Sequence, residues 1–133
     1  MIISTKDKRI HYLSQVYVGK AHDYAILKEE FPPEKAWFEG LVVRLDLGYQ
    51  GFEKDYKCSK VFIPHKKTKN TELTDLQKTE NKGVSRERIC VEHSIGGMKR
   101  YRILSERLRV HDFKLYDDVL CVCAGLWNFY IPA

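Results

Sequence analysis

The chain has 133 residues, 44% of them hydrophobic, which fits one domain with a modest core. No apolar run approaches the roughly 18 residues of a membrane span, and the four cysteines contain no C-x-x-C pair of the kind that binds zinc. We therefore expect a cytoplasmic protein with reduced thiols that neither crosses a membrane nor is secreted.

Charge is distributed unevenly along the chain. The net charge is +5, yet residues 54–109 alone hold 15 Lys or Arg against 7 Asp or Glu. A basic half beside an acidic half favours a polyanion such as nucleic acid as the partner. A generic soluble surface is the alternative on charge alone.

The first part of the chain predicts a β-hairpin and then a helix. Residues 2–4 and 10–18 alternate apolar and polar side chains with many β-branched and aromatic types, and a charged turn joins them. Residues 21–31 place apolar side chains at helical spacing, and Pro32 and Pro33 end that pattern.

A strand followed by an aspartate comes next. Residues 41–45 form a nearly continuous apolar run, which is typical of a parallel strand buried on both faces. Asp46 follows directly, ahead of a turn that contains Gly48 and Gly51. An aspartate at the carboxyl end of a buried strand is where α/β folds place their chemistry. A turn aspartate that only caps the next helix is the alternative.

The remaining elements follow from the same patterns. We predict a strand at 58–64, a basic loop at 65–70, a polar helix at 71–82 capped by Thr71 or Thr74, a helix at 85–99, a basic segment at 101–110 and an apolar helix at 114–130. The predicted inner stripe of the last helix is Leu115, Val119, Val122, Leu126 and Phe129, with Trp127 also in the core.

The helix predicted over residues 85–99 carries a polar face. Ser85, Arg88, Glu92 and Lys99 recur at spacings that place them on one side of a helix, where we expect the surrounding apolar chain to bury them. Arg88 and Lys99 can hold phosphate oxygens, and Glu92 can hold a hard cation. From spacing alone, a solvated helix with ordinary ion pairs is the alternative.

Five segments in a fixed order carry a family resemblance. They are Gly19-Lys20-Ala21-His22-Asp23, Asp46-x-Gly48-Tyr49-Gln50-Gly51, Arg88-x-x-x-Glu92 followed by Lys99, Val91-Glu92-His93-Ser94-Ile95-Gly96 and Ala124-Gly125-Leu126-Trp127-Asn128-Phe129. Over nearly the whole chain they resemble the C-terminal half of bacterial insertion-sequence transposases of the DDE type, and more closely the DDE-superfamily endonuclease domain. The related signature Y-x(2)-R-x(3)-E-x(6)-K is met except at its tyrosine, where this chain has Ser85.

The resemblance implies a fold, a site and a partner. The expected fold is α/β, an RNase H-like mixed sheet flanked by helices. Asp46 and Glu92 correspond to the second and third of three carboxylates that bind Mg²⁺ or Mn²⁺ and cut and join DNA. Arg88, Lys99, Arg100 and Arg102 are the expected contacts to phosphates of the transposon ends.

One expected carboxylate has no counterpart in the sequence. The family's first aspartate lies on a central first strand, ahead of the hairpin that opens this chain. The resemblance therefore implies that residues 1–133 are a catalytic domain truncated at its N-terminus and lacking that strand. The chain is then either completed by a second polypeptide, or it is a non-catalytic DNA-binding remnant of a decayed transposase; a homo-oligomer is a further expectation. Full transposition by the isolated chain is not expected in either case, and the implied location is nucleoid-associated.

Overall fold

A computed structural model of the protein describes residues 1–17, 19–69, 71–106 and 111–132. The chain divides into two compact units: the hairpin unit, Met1–Val18 with Ile89–Ala133, and the central unit, Gly19–Arg88. The boundary falls inside one long helix, α3 (Asp75–Met98). The predicted mixture of α and β structure is confirmed, and the described strands form one two-stranded sheet in each unit. The RNase H-like arrangement stays a prediction.

The hairpin unit begins with the predicted antiparallel hairpin. Strand β1 (Ile2–Ser4) pairs with β2 (Ile10–Leu13), which is shorter than the run of residues 10–18 that predicted it. The connecting turn contains Lys8 in a left-handed conformation, at φ 69°. Its carbonyl accepts hydrogen bonds from the hydroxyl of Ser94 (2.8 Å) and from Nε1 of Trp127 (2.9 Å). Two of the motif segments therefore hold the hairpin turn in place.

The C-terminal helix α5 (Phe113–Tyr130) forms as predicted, but its inner face is different. The core cluster of the hairpin unit consists of Ile10, Met98, Cys123, Ala124, Trp127 and Ile131. The predicted inner stripe is wrong for Leu115, Val122, Leu126 and Phe129, which are exposed, Phe129 by 90%, whereas Val119 packs against the core. The small side chains Cys123 and Ala124 allow the helix to approach its neighbours closely, and this outweighs the bulk of the opposite stripe.

Asn128 joins α5 to the hairpin by acting as a substitute strand partner. Its Oδ1 accepts from the Ile10 amide at 2.8 Å, and its Nδ2 donates to the Ile10 carbonyl at 2.7 Å. These two bonds satisfy backbone groups of β2 that would otherwise need water or another strand. Of the predicted basic segment 101–110, a short helix α4 (Arg102–Ser105) is described, and residues 107–110 lie outside the described residues.

The helices predicted at 71–82 and 85–99 are a single helix, α3 (Asp75–Met98). It begins at Asp75 rather than at residue 71, and of the two predicted caps, Thr71 and Thr74, it is Thr74 that caps it. Oγ1 of Thr74 accepts from the Gln77 amide, and Oε1 of Gln77 accepts from the Thr74 amide. Gly83 does not interrupt the helix, because an interior glycine costs only about 1 kcal/mol relative to alanine.

The two strands predicted at residues 41–45 and 58–64 both form in the central unit. Strand β3 (Val42–Arg44) pairs in parallel with β4 (Lys60–Phe62). The prediction that residues 41–45 are buried on both faces is wrong, because Leu41 is 53% and Val42 48% exposed. A two-stranded sheet has too few neighbours to cover both faces of a strand.

An aromatic cluster forms the core of the central unit. Helix α1 (Asp23–Glu30) is capped by His22, and the short helix α2 (Phe52–Asp55) follows Gly51, whose φ of 99° favours glycine. The ring contacts of the cluster join Phe31, Trp37, Phe38, Phe52 and Tyr56.

Among the described residues, no helix is both long and apolar enough to cross a membrane.

Candidate active site

Asp46 lies two residues beyond the carboxyl end of β3, as the sequence predicts. It caps a 3-10 helix (Leu47–Tyr49): its Oδ1 accepts from the Leu47 amide at 2.6 Å. The cap restrains the carboxylate, while half of the side chain, 51%, stays exposed. Asp46 is therefore a fixed carboxylate that remains open to solvent.

Arg88 binds Asp46 through both guanidinium NH₂ groups. One nitrogen lies 3.1 Å from Oδ1 and the other 3.2 Å from Oδ2. Arg88 is only 26% exposed, so its fork is better ordered than that of a free surface arginine. Within the central unit, α3 is thereby attached to the strand end that carries Asp46.

A second ion pair of opposite polarity lies beside the first. Nε of Arg44, the last residue of β3, donates to Oε2 of Glu87 on α3. At the strand end, Arg44 and Asp46 are two residues apart. They pair with the adjacent α3 residues Glu87 and Arg88, respectively. The sequence analysis did not select Arg44 or Glu87 as site residues. The opposite charges of Arg44 and Asp46, and of Glu87 and Arg88, are a pattern in the sequence that could have indicated the two ion pairs.

Tyr49, which lies near Asp46, has a shifted pKa. Burial raises the pKa of Tyr49 to about 12, and the carboxylates of Asp23 and Asp46 add to the shift. Gly48 lies beside Asp23: a Cβ at Gly48 would be 3.5 Å from Oδ2 of Asp23, an ordinary van der Waals distance. Asp23 and Asp46 therefore both act on Tyr49 and disfavour its ionised form.

Four further predicted site residues belong to the hairpin unit. Glu92 lies on α3 and is exposed, as is Lys99 in the turn that follows the helix, so the predicted burial of this polar face is wrong at both positions. The guanidinium of Arg100 lies over the rings of Trp127 and Tyr130, 5.8 and 5.4 Å from their centroids.

The last of the four, Arg102, pairs with Glu106 at 2.6 Å. That ion pair is solvated and contributes little to stability. Because Asp46 and Glu92 fall in different units, their joint metal site stays a prediction.

Asp46 fits a divalent metal as one ligand of a larger set. Carboxylate oxygens are the donors that Mg²⁺ and Mn²⁺ prefer, and the guanidinium on both oxygens of Asp46 shows that positive charge is accommodated there. Within the described ranges, no group of three or more His, Cys, Asp or Glu side chains is placed to hold a metal ion.

Comparison with known proteins defines the class of this chain. The model of the DDE superfamily endonuclease family matches residues 1–128, so the chain belongs to that family. It is also 35% identical, over 113 residues, to the probable transposase for insertion sequence element IS702 of Microchaete diplosiphon. The match covers 84% of this chain and 38% of that transposase. No solved structure matches the chain.

Proposed function

We propose that this chain supplies the second and third carboxylates, Asp46 and Glu92, of a transposase site that cuts and joins DNA with Mg²⁺ or Mn²⁺. The observation that carries the proposal is the two-nitrogen contact of Arg88 with Asp46. It attaches the acid of one family motif to the helix that bears the next motif. Glu92 follows Arg88 by four residues in α3, about one helical turn.

The proposed chemistry is attack on a phosphodiester bond. Asp46 and Glu92 would hold the divalent metal, which would supply activation of water or of a DNA 3′-hydroxyl and stabilisation of the oxygen that leaves phosphorus. The role of the chain is to hold that charge in place through Asp46 and Glu92. Arg88 and Lys99 neutralise the phosphate oxygens, and Arg100 and Arg102 contact the DNA backbone in a salt-dependent manner.

A complete family site contains a third carboxylate. The described part of the chain does not assemble a group of three possible ligands. We propose that a strand outside residues 1–133, of a second polypeptide or of a longer form of this one, provides the remaining aspartate in an RNase H-like sheet. Full strand transfer then requires that strand, whereas metal binding by Asp46 and Glu92 does not.

Localised oxidative cleavage tests whether the two acids share an ion. Fe²⁺ with ascorbate and peroxide cuts the backbone beside a bound ion, and we expect paired cuts near residues 46 and 92. D46N and E92Q should each remove both cuts. E87Q, an acid in the same helix that pairs with Arg44, is the matched control and should keep both. Independent loss of the two cuts contradicts a shared ion.

DNA nicking tests the activity itself. The purified chain is incubated with Mn²⁺ and supercoiled DNA, and we expect weak nicking that E92Q abolishes and E87Q retains. Nicking that survives E92Q contradicts the site assignment. DNA binding without nicking instead supports a non-catalytic DNA-binding remnant.

A further inference from the structure

The contact between Arg88 and Asp46 occupies the atoms that a metal ion would use. Oδ1 of Asp46 already accepts from the Leu47 amide at 2.6 Å and from Arg88 at 3.1 Å. A carboxylate oxygen has about two lone-pair sites, so Oδ1 is filled. Oδ2 holds the second nitrogen of Arg88 at 3.2 Å. By the same count Oδ2 keeps one lone pair, so the competition concerns Oδ1. A cation that binds Oδ1, alone or together with Oδ2, must displace Arg88, since the cap from Leu47 belongs to the local backbone.

The neighbouring ion pair makes such a displacement structurally possible. Arg44 and Glu87 connect the same strand end to the same helix through separate atoms. When Arg88 leaves Asp46, this second connection between β3 and α3 remains. The pair of Arg88 and Asp46 can thus open without separating the two elements.

We propose that Arg88 is a built-in counter-ion of Asp46 that competes with divalent metal and is released when metal binds. This inference rests on the proposed function, because it assumes that Asp46 is a metal ligand. Arg88 is in this respect a positioning residue: it holds the carboxylate ready and keeps its charge compensated in the metal-free protein. Once released, its guanidinium carries a free positive charge at the place where phosphate is expected.

Titration with Mn²⁺ alone, followed by water-proton relaxation, tests the competition. R88Q should bind Mn²⁺ about two- to fivefold more tightly than the wild type, the factor expected for removing a partly solvated ion pair. R86Q is the matched control, because it deletes a positive charge two residues away that has no bond to Asp46; its affinity should stay close to the wild type. D46N should abolish the tight site in both backgrounds.

The outcomes separate this inference from the proposed function. Metal binding that depends on Asp46 but does not tighten in R88Q overturns the competition and leaves the metal site standing. Equal tightening in R86Q and R88Q also overturns it, since general electrostatics then explains the effect. Binding that ignores D46N in every variant contradicts the proposed metal site itself. If R88Q does not fold, R88K serves instead: it keeps the charge, loses the two-pronged contact and should also tighten binding.

Discussion

The packing of α3 against α5 makes Gly97 intolerant of any side chain. An ideal Cβ built at Gly97 lies 2.2, 2.2 and 2.6 Å from three ring atoms of Trp127, where carbon atoms in contact are normally about 3.5–4.0 Å apart. Trp127 is 6% exposed and its Nε1 donates to the Lys8 carbonyl, so the ring has little room to retreat. We therefore predict that G97A destabilises the hairpin unit.

The size of the effect follows from three terms. Overpacking a core typically costs about 1–3 kcal/mol, and displacing the indole hydrogen bond costs about 1 kcal/mol more. Replacing an interior helix glycine with alanine returns about 1 kcal/mol. The net prediction is a loss of about 1–3 kcal/mol, or roughly 3–5 °C in Tm for each kcal/mol in a chain of this size.

Gly96 is the matched control for this prediction. It precedes Gly97 in the same helix, and an added Cβ there meets no atom within 4 Å. G96A should therefore gain about 0.5–1 kcal/mol from helix propensity alone. Thermal unfolding followed by circular dichroism compares both variants with the wild type. Equal stabilisation of G96A and G97A would refute the close approach of α3 to Trp127.

Three further predictions follow from other contacts. N128A removes two hydrogen bonds to the β2 backbone and should lower the free energy of unfolding by about 2 kcal/mol, measured by urea denaturation. Hydrogen bonds from Lys28 and from Tyr24 lower the pKa of Asp55. Ionised Asp55 therefore stabilises the fold above pH 3.8, and this stabilisation is lost as the pH falls below that value. D55N should lack this acid-dependent loss in the free energy of unfolding, measured by urea denaturation as a function of pH. Burial and nearby carboxylates raise the pKa of Tyr49 to about 12. Neutral Tyr49 therefore contributes its full stabilisation below pH 10, and this stabilisation is lost as the pH approaches 12. D46N should lower the pKa of Tyr49, measured as the tyrosinate absorbance difference from Y49F.

The sequence predicted local structure well where one pattern was unambiguous. The hairpin, both strands of the central unit and the helix α5 all form, and Thr74, one of the two predicted caps, caps α3. Each depends on period, turn chemistry or capping within a short stretch of chain. Strand length was overestimated at residues 10–18, because alternation continues in the sequence beyond the residues that find a pairing partner.

Tertiary contacts decided what the local patterns left open. In α5, apolar residues occur on nearly every side, so both the stripe through Leu126 and the one through Trp127 have helical spacing. The choice was made by partners far away in sequence: Gly97 admits the indole, and Ile10 and Met98 pack beside it. None of these contacts can be derived from the periodicity of α5 alone.

The sequence offered two interpretations of Asp46, a helix cap or a site for chemistry, and the geometry makes them compatible. A cap uses one lone pair of one oxygen, here Oδ1 toward the Leu47 amide. That single bond fixes the carboxylate and leaves Oδ2 with the rest of Oδ1 for a cation, a position that Arg88 now holds. Capping therefore contributes the preorganisation that a metal ligand needs, since a carboxylate already restrained by its own turn loses less freedom when an ion binds. The same logic explains why the turn begins with an aspartate: Ser, Thr or Asn would also cap the 3-10 helix, but their oxygens are neutral, whereas the carboxylate of aspartate offers negative charge to the cation.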